Sequence, residues 1–253
     1  MLTMEMESAE CKLSTTKAAA YAKSLREQGW VFLPGAEFQD GFSLSLGDWL
    51  SFALYWDNLV LDGYMGDKGA YRYRRYSSFE VNASEEAVIL NPHEAYVQPR
   101  TVNPLNGDVE RHYLPLEQGM VTHPFFQALL LGLARVYDLA TGQPVLWNVK
   151  LHPYRIKAEN ETCGKPTPEG LHRDGVDFIA MMLVARYCVR GGETTVTNNR
   201  GEPIFTKTMS TPLDIILGDD HQVMHQVSPI HCTEQPGYRD ALVIAFTRSV
   251  AYA

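Results

Sequence analysis

VLWNVKLHPYRI (145–156), DFIAMMLVARY (177–187), TTVTN (194–198), PIFTKTM (203–209), LDIILG (213–218), HQVMHQVSPI (221–230) and ALVIAFTR (241–248) succeed one another with breaks bearing Gly, Pro or Asn between them. Several alternate apolar and polar positions or are rich in β-branched residues, as strands are. Short strands in series, without intervening helices, indicate an antiparallel sandwich or barrel rather than a parallel α/β sheet. The expected class is mainly β with helices.

Working outward from that stretch, the helices lie in front of it. STTKAAAYAKSLREQG places Ala18, Tyr21, Ala22 and Leu25 on one helical face, with Ser14 to Thr16 to start it and Gly29 to end it. WVFLPG follows as a short strand. A second helix is expected over Asp48 to Val60, on the stripe Trp49, Phe52, Ala53, Trp56 and Val60. A third runs from about Pro124 to Ala140 and buries Phe126, Leu129, Leu130, Leu133 and Tyr137. No repeat or linker divides the chain, so one domain over 1–253 is expected. Residues 1–35 hold a loose leader (1–13), the first helix and the first strand; about 143–253 form the β core.

A chain of 253 residues with 45% hydrophobic and 21% charged residues is an ordinary globular composition, which excludes disorder and fibre. The formal charge of −8 argues against a nucleic-acid partner. Cys11, Cys163, Cys188 and Cys232 contain no CxxC pair and read as reduced thiols, so the cytoplasm is expected. No run of about 18 apolar residues predicts a membrane span, and MLTMEMESAE lacks the layout of a secretory signal. There is no GxSxG elbow, Walker loop, HExxH or GxGxxG before a helix.

The chemistry begins at His172-Arg173-Asp174. On an extended segment, residues i and i+2 project to one face, so imidazole and carboxylate would point together into the sandwich. One more imidazole completes a 2-His-1-carboxylate set, which holds iron(II) on one face and leaves positions open for a chelating co-substrate and dioxygen. Eight His and thirteen Asp in 253 residues give about 0.4 such tripeptides by chance, so the second half of the pattern matters. His225 lies 53 residues downstream (225 − 172) on an expected strand. Between the two, Gly191-Gly192-Glu193-Thr194-Thr195 forms a turn into a strand. Beyond them, Gly237-Tyr238-Arg239-Asp240 opens ALVIAF. A guanidinium at the mouth of a sandwich can pair bidentately with a carboxylate, which suits Arg239 to the distal carboxylate of 2-oxoglutarate. Arg248, at the other end of that strand, is the alternative.

PEGLHRDGVDFI (168–179), RGGETTVTNN (190–199), VMHQVSPI (223–230) and GYRDALVIAFTR (237–248) together resemble the core of the iron(II)/2-oxoglutarate-dependent dioxygenases. They are most similar to the bacterial subgroup that includes L-isoleucine 4-hydroxylase and other aliphatic amino-acid hydroxylases. YRYRRYSSF (71–79) and NVKLHPYRI (148–156) share the likeness more loosely. The resemblance implies a double-stranded β-helix, a jelly-roll or cupin-like sandwich braced by the N-terminal helices. It also implies iron(II) on His172, Asp174 and His225, 2-oxoglutarate on Arg239, and dioxygen as oxidant. The implied reaction hydroxylates an unactivated C–H bond of a free L-amino acid, an aliphatic one, releasing succinate and CO2. Halogenating relatives replace the carboxylate ligand with a small residue; Asp174 is present, so hydroxylation is expected. Two other functions stay open at this point. One is an oxygenase acting on a protein or nucleobase, which needs an extended groove. The other is a cupin-like metal- or ligand-binding module without catalysis.

YRYRRYSSF reads as an amphipathic strand with a solvated charged face, as a receiver of a substrate carboxylate, or as a nucleobase stack that the acidic total opposes. Arg74 and Arg75 are its candidate substrate contacts. Tyr113 is a third, from the polar segment Gln98–Leu116, which also carries Asn103, Asn106 and Arg111 and suits a pocket lid. His221, four before His225, is a candidate metal support or alternative ligand. His152 reads as a core histidine, while His231, His93, His112 and His123 fall among loops.

Overall fold

The computed structural model describes residues 13–249, apart from 104, 106, 160, 161, 234 and 235. The leader up to residue 12, Cys11 and Asn106 lie outside the described residues. The elements are α1 (Thr15–Gln28), β1 (Trp30–Leu33), α2 (Gly35–Gly41), α3 (Leu46–Ala53), β2 (Val60–Leu61), β3 (Arg72–Arg74), β4 (Ser77–Asn82), β5 (Ala87–Leu90), α4 (Gln118–Val121) and α5 (Pro124–Thr141). There follow β6 (Leu146–Ala158), β7 (Phe178–Tyr187), β8 (Val189–Gly191), β9 (Thr194–Asn198), β10 (Pro203–Lys207), β11 (Ile215–Asp219), β12 (Val223–Val227), β13 (Ile230–Cys232) and β14 (Gly237–Arg248).

Nine strands form one antiparallel sheet in the order β1-β11-β7-β14-β6-β3-β2, with β4 on β6 and β5 on β4. A three-stranded sheet, β10-β9-β12, faces it, and β13-β8 forms a small ladder beside them. The architecture is the expected jelly roll; it is not a closed barrel. No helix among the described residues is long and apolar enough to cross a membrane.

Strand alternation divides the large sheet into two faces with different work. On β6 and β14 the residues Trp147, Val149, Leu151, Leu242, Ile244 and Phe246 point to the helical side and join Leu25 of α1, Phe52 of α3 and Phe126, Leu130 and Tyr137 of α5 in the main core. The other face carries Lys150, His152, Tyr154, Arg239, Ala241, Val243 and Ala245, all of which line cavities. Between the two sheets a second core packs Ile179, Met181, Leu183 and Ile216 against Val196 and Val223. Phe246 is fully buried against Tyr137 and Trp147, with ring centroids 4.8 and 6.0 Å away. Phe246→Ala is therefore expected to cost about 3–5 kcal/mol of stability, read by denaturant unfolding. A loss under about 1 kcal/mol would mean that this core is not close-packed.

α1 buries Ala18, Tyr21, Ala22 and Leu25 as its spacing predicts, although Ser14 caps it without a side-chain hydrogen bond. α5 has Pro124 in its first turn, and its cap is His123, whose ring accepts from the Phe125 N–H. The helix expected over Asp48 to Val60 ends at Ala53; Leu54–Asn58 tightens to a 3₁₀ turn, and Val60 begins β2. HQVMHQVSPI breaks at Ser228-Pro229 into β12 and β13, which belong to different sheets. YRYRRYSSF also breaks into β3 and β4. The physical reason is Pro153 in β6: β3 pairs with Tyr154–Ile156 and β4 with Leu146–Leu151. A proline cannot donate to the ladder, so the partner strand interrupts where it falls.

Candidate metal centre and its two cavities

His225 sits on β12 and His172 on the segment that leads into β7; an isolated antiparallel bridge joins them. Each backbone N–H donates to the other's carbonyl, at 3.1 and 3.0 Å. This pairing brings the imidazole centroids to 4.4 Å. With Asp174 they form a group whose candidate ligand atoms all lie within 4.8 Å of one another. The convergence expected of the three residues is present, but strand alternation does not produce it. After His172 the chain leaves the bridge, and Gly175 takes φ +73°, where an added Cβ would strike Val102 Cγ2 at 2.7 Å. Only glycine turns the chain there without strain.

Asp220, buried and not singled out from the sequence, holds that turn. Its carboxylate accepts from the N–H groups of Asp174 (3.2 Å), Gly175 (2.7 Å) and Val176 (3.1 Å). Only an Asp-Asp pair before His221 marked it in the sequence. Asp220→Asn would turn one acceptor into a donor facing backbone N–H groups. It is expected to weaken Mn(II) binding about 10–100-fold, as loss of a group that orients a ligand does; unchanged affinity would show that the turn holds itself.

The donor set suits iron(II). His172 donates from Nδ1 to the Gly170 carbonyl at 2.9 Å, which leaves Nε2 for a metal. Asp174 Oδ2 is buried with no hydrogen-bond partner, 3.6 Å from His225 Nε2. Burial pushes the Asp174 carboxyl up to about 6, with His172 opposing and Asp220 and Glu169 adding to the rise. Burial disfavours the charged His172 ring, but the carboxylates of Asp174 and Glu169 outweigh it and hold the proton. Burial, then His172, pushes His225 well below the usual histidine range.

Without metal, ionised Asp174 is a cost to the fold. The stability it contributes as a neutral acid is present below the ordinary value of 3.8 and is lost as pH rises through about 6. Asp174→Asn stays neutral, so the metal-free variant is expected to melt above wild type near about pH 7 and close to it near about pH 4. Equal melting at both would remove the argument.

Two cavities meet at this cluster. The inner one, about 80 Å³, runs between the sheets from His172, Asp174 and His225 to Thr194 and Arg239. Arg239 is buried on β14, and among the described residues neither its Nε nor the buried Thr194 Oγ1 has a hydrogen-bond partner. Burial, then the nearby Arg186, lowers the Arg239 guanidinium to about 10, so it stays charged at neutrality. Gly192, at φ +70°, passes close to it: a Cβ there would lie 2.9 Å from Arg186 Nη1 and 3.2 Å from Arg239 Cδ. Arg248, the alternative, lies at the opposite end of β14 with its side chain 52% exposed beside Asp177 and lines neither cavity.

The outer cavity, about 220 Å³, shares His172, Asp174 and Glu169 with the inner one. Its walls include Arg74 and His152, the apolar side chains of Val176, Val243 and Ala245, and Gln98, Pro99, Val102, Asn103 and Arg111 of the Gln98–Leu116 segment that the sequence marked as a lid. Arg74 is buried there. Tyr113 lies beneath it, with the guanidinium 3.8 Å from the ring centre, and lines neither cavity. Arg75 is turned away: it donates to the carbonyls of Asn58 (3.0 Å) and Pro115 (2.9 Å). Consecutive residues of an extended segment point to opposite sides, so the neighbouring arginines take different directions. His221 sits on an exposed turn beside Asp177 and is not near the metal group. His231 is an exposed residue of β13, not a loop residue. His93 donates to the Tyr113 carbonyl at 2.8 Å, and His112 is exposed.

The comparisons with known proteins agree with this geometry. The 2OG-Fe dioxygenase model matches residues 53–245. The 3(1)-hydroxy-L-isoleucine 4-dioxygenase of Pantoea ananatis (strain AJ13355) is 25% identical over 244 residues, covering 90% of this chain and 96% of that protein. The crystal structure of a bsmA homolog from Methylobium petroleophilum PM1 superposes with a TM-score of 0.84 at 34% identity, over 92% of this chain and 93% of that one. IDO from Bacillus thuringiensis shares the fold, with a TM-score of 0.72 at 18% identity over 92% of this chain and 96% of that one. The chain thus belongs to the 2OG-Fe dioxygenase family, and it is an oxidoreductase that uses iron(II), 2-oxoglutarate and dioxygen.

Proposed function

We propose that the protein hydroxylates an unactivated C–H bond of a free L-amino acid, an aliphatic one, with release of succinate and CO2. In this reading His172, Asp174 and His225 hold the iron, and Arg239 with Thr194 holds the distal carboxylate of 2-oxoglutarate in the inner cavity. The observation that carries the substrate class is the outer cavity: a small, partly open space of about 220 Å³ that reaches the metal group. Pockets for drug-sized ligands run to about 300–1,000 Å³, so this one suits a small metabolite. A protein segment or a nucleobase on a strand needs a longer groove than a space of this volume gives. The relative from Pantoea ananatis acts on a hydroxylated isoleucine by its name, which favours an amino acid over other small molecules.

Iron(II), when bound, activates dioxygen at the expense of 2-oxoglutarate and makes an unactivated C–H bond reactive. The chain's own work is placement and exclusion. Asp174 and the two imidazoles would hold the ion, and His172 and Asp174 line both cavities, so co-substrate and substrate would each reach it from their own side. Met181, Val227 and Ala241 line the inner cavity with apolar surface, which limits water around the co-substrate. Val176, Val243 and Ala245 offer a short aliphatic chain apolar contact in the outer one.

The test incubates the protein with iron(II), 2-oxoglutarate, ascorbate to keep the metal reduced, and each of the twenty amino acids in turn. Mass spectrometry of the amino acid should show a gain of one oxygen, matched by succinate. Succinate release that no amino acid stimulates, but that a peptide or nucleotide does, would overturn this reading.

A further inference from the structure

His152, Arg74 and Arg111 bury three hydrogen-bond donors around the outer cavity with nothing to receive them. The key is the contact between Arg74 Nη2 and His152 Nδ1. A guanidinium only donates, so Nδ1 must be the acceptor and the ring proton must reside on Nε2. His152 Nε2–H, Arg74 Nε–H and Arg111 Nε–H are each buried and have no hydrogen-bond partner among the described residues. The three side chains are 3%, 2% and 2% exposed and line the same cavity.

The charge balance points the same way. Arg72 is matched by Asp62 at 2.7 Å, and Arg74 shares that carboxylate only at 3.9 Å. Among the described residues no carboxylate forms an ion pair with Arg111, which donates to Gln98 Oε1 and lies 4.5 Å from the Tyr96 ring centre. Burial, then Arg74, Lys150 and Arg111, pushes the His152 pKa well below the usual range, so the ring stays neutral and its tautomer holds. The ring is also fixed in direction, between Tyr76 at 5.0 Å and Tyr96 at 4.7 Å. Burying cations and oriented donors without an acceptor is costly, and a group that brings an anionic oxygen offsets that cost.

We propose that His152, Arg74 and Arg111 form the receptor for a carboxylate of the substrate, with His152 as a neutral donor locked in the Nε2–H tautomer. This rests on the reading of the outer cavity as the substrate site. It narrows the substrate class to molecules with a free carboxylate: amides and esters of the same skeleton fit the space but supply no anionic oxygen. It also gives His152, a residue that reads from the sequence as core, the role of a specificity determinant.

The experiment is nitrogen-15 magnetic resonance of the histidine rings in the protein loaded with zinc(II) and 2-oxoglutarate, which binds without turnover. The expected spectrum shows His152 protonated on Nε2 and bare on Nδ1 across neutral pH. Acetate, and separately L-isoleucine, should move the Nε2–H resonance saturably, while acetamide should leave it in place. Arg111→Gln should weaken the acetate response tenfold or more, the scale of losing a charge-assisted bond. A His152 proton on Nδ1, equal responses to acetate and acetamide, or no response to either carboxylate would overturn the proposal; the first two need no variant to fold. Succinate release is measured in parallel. Release stimulated only by a peptide or nucleotide, with the acetate response intact, would sink the amino-acid reading and leave the receptor standing.

Discussion

Asp174→Ala and His172→Ala are each expected to abolish substrate-dependent succinate release, with activity down by far more than the roughly 100-fold that loss of a supporting group gives. Three ligand atoms within 4.8 Å leave no redundancy: the described residues hold no other group of three or more His, Cys, Asp or Glu side chains poised to hold a metal. The two variants should differ in the metal-free state. Asp174→Ala removes a buried acid that the fold prefers neutral, whereas His172→Ala removes a ring that donates to the Gly170 carbonyl. Metal affinity, measured with Mn(II), should fall in both. Turnover that survives either substitution would mean that the iron sits elsewhere.

Arg239→Met should raise the 2-oxoglutarate concentration needed for half-maximal turnover by about 30- to 5,000-fold. That range follows from the roughly 2–5 kcal/mol lost when one partner of a buried charge pair is truncated. Its Nε has no hydrogen-bond partner among the described residues, so the co-substrate's carboxylate would be the acceptor it lacks. Methionine fills a similar volume without the charge, which separates affinity from packing. Arg239→Lys should fall between, since an ammonium keeps the charge but not the planar fork. Arg248→Gln is the control: with its side chain half exposed beside Asp177, it should leave 2-oxoglutarate affinity unchanged. The opposite pattern, loss at Arg248 and none at Arg239, would reassign the anchor.

The two arginines show where legibility stopped. They lie nine residues apart at the two ends of one apolar strand, so alternation puts them on opposite faces, but the sequence does not say which face or end lies beside the metal group. Only the position of β12 and its His225 along the sandwich makes one end the inside. The same holds for Arg74 and Arg75. They are adjacent in a tyrosine-rich run and so point to opposite sides, but only the tertiary structure shows that one side is the cavity and the other holds the Asn58 and Pro115 carbonyls. Asp220 could not be found at all, since its work is done on backbone N–H groups 44 to 46 residues away.

Local chemistry was enough for what depends on residue type and period. Alternating and β-branched segments must bury one face, so the β class followed. A His-x-Asp with a distant His on a strand offers a ferrous donor set, so the metal chemistry followed. Which side chains meet across sheets is a different matter, because it depends on register between strands far apart in the chain. The His172–His225 bridge, the tautomer of His152 and the inward Arg239 all arise from long-range pairing, and no short-range preference specifies it.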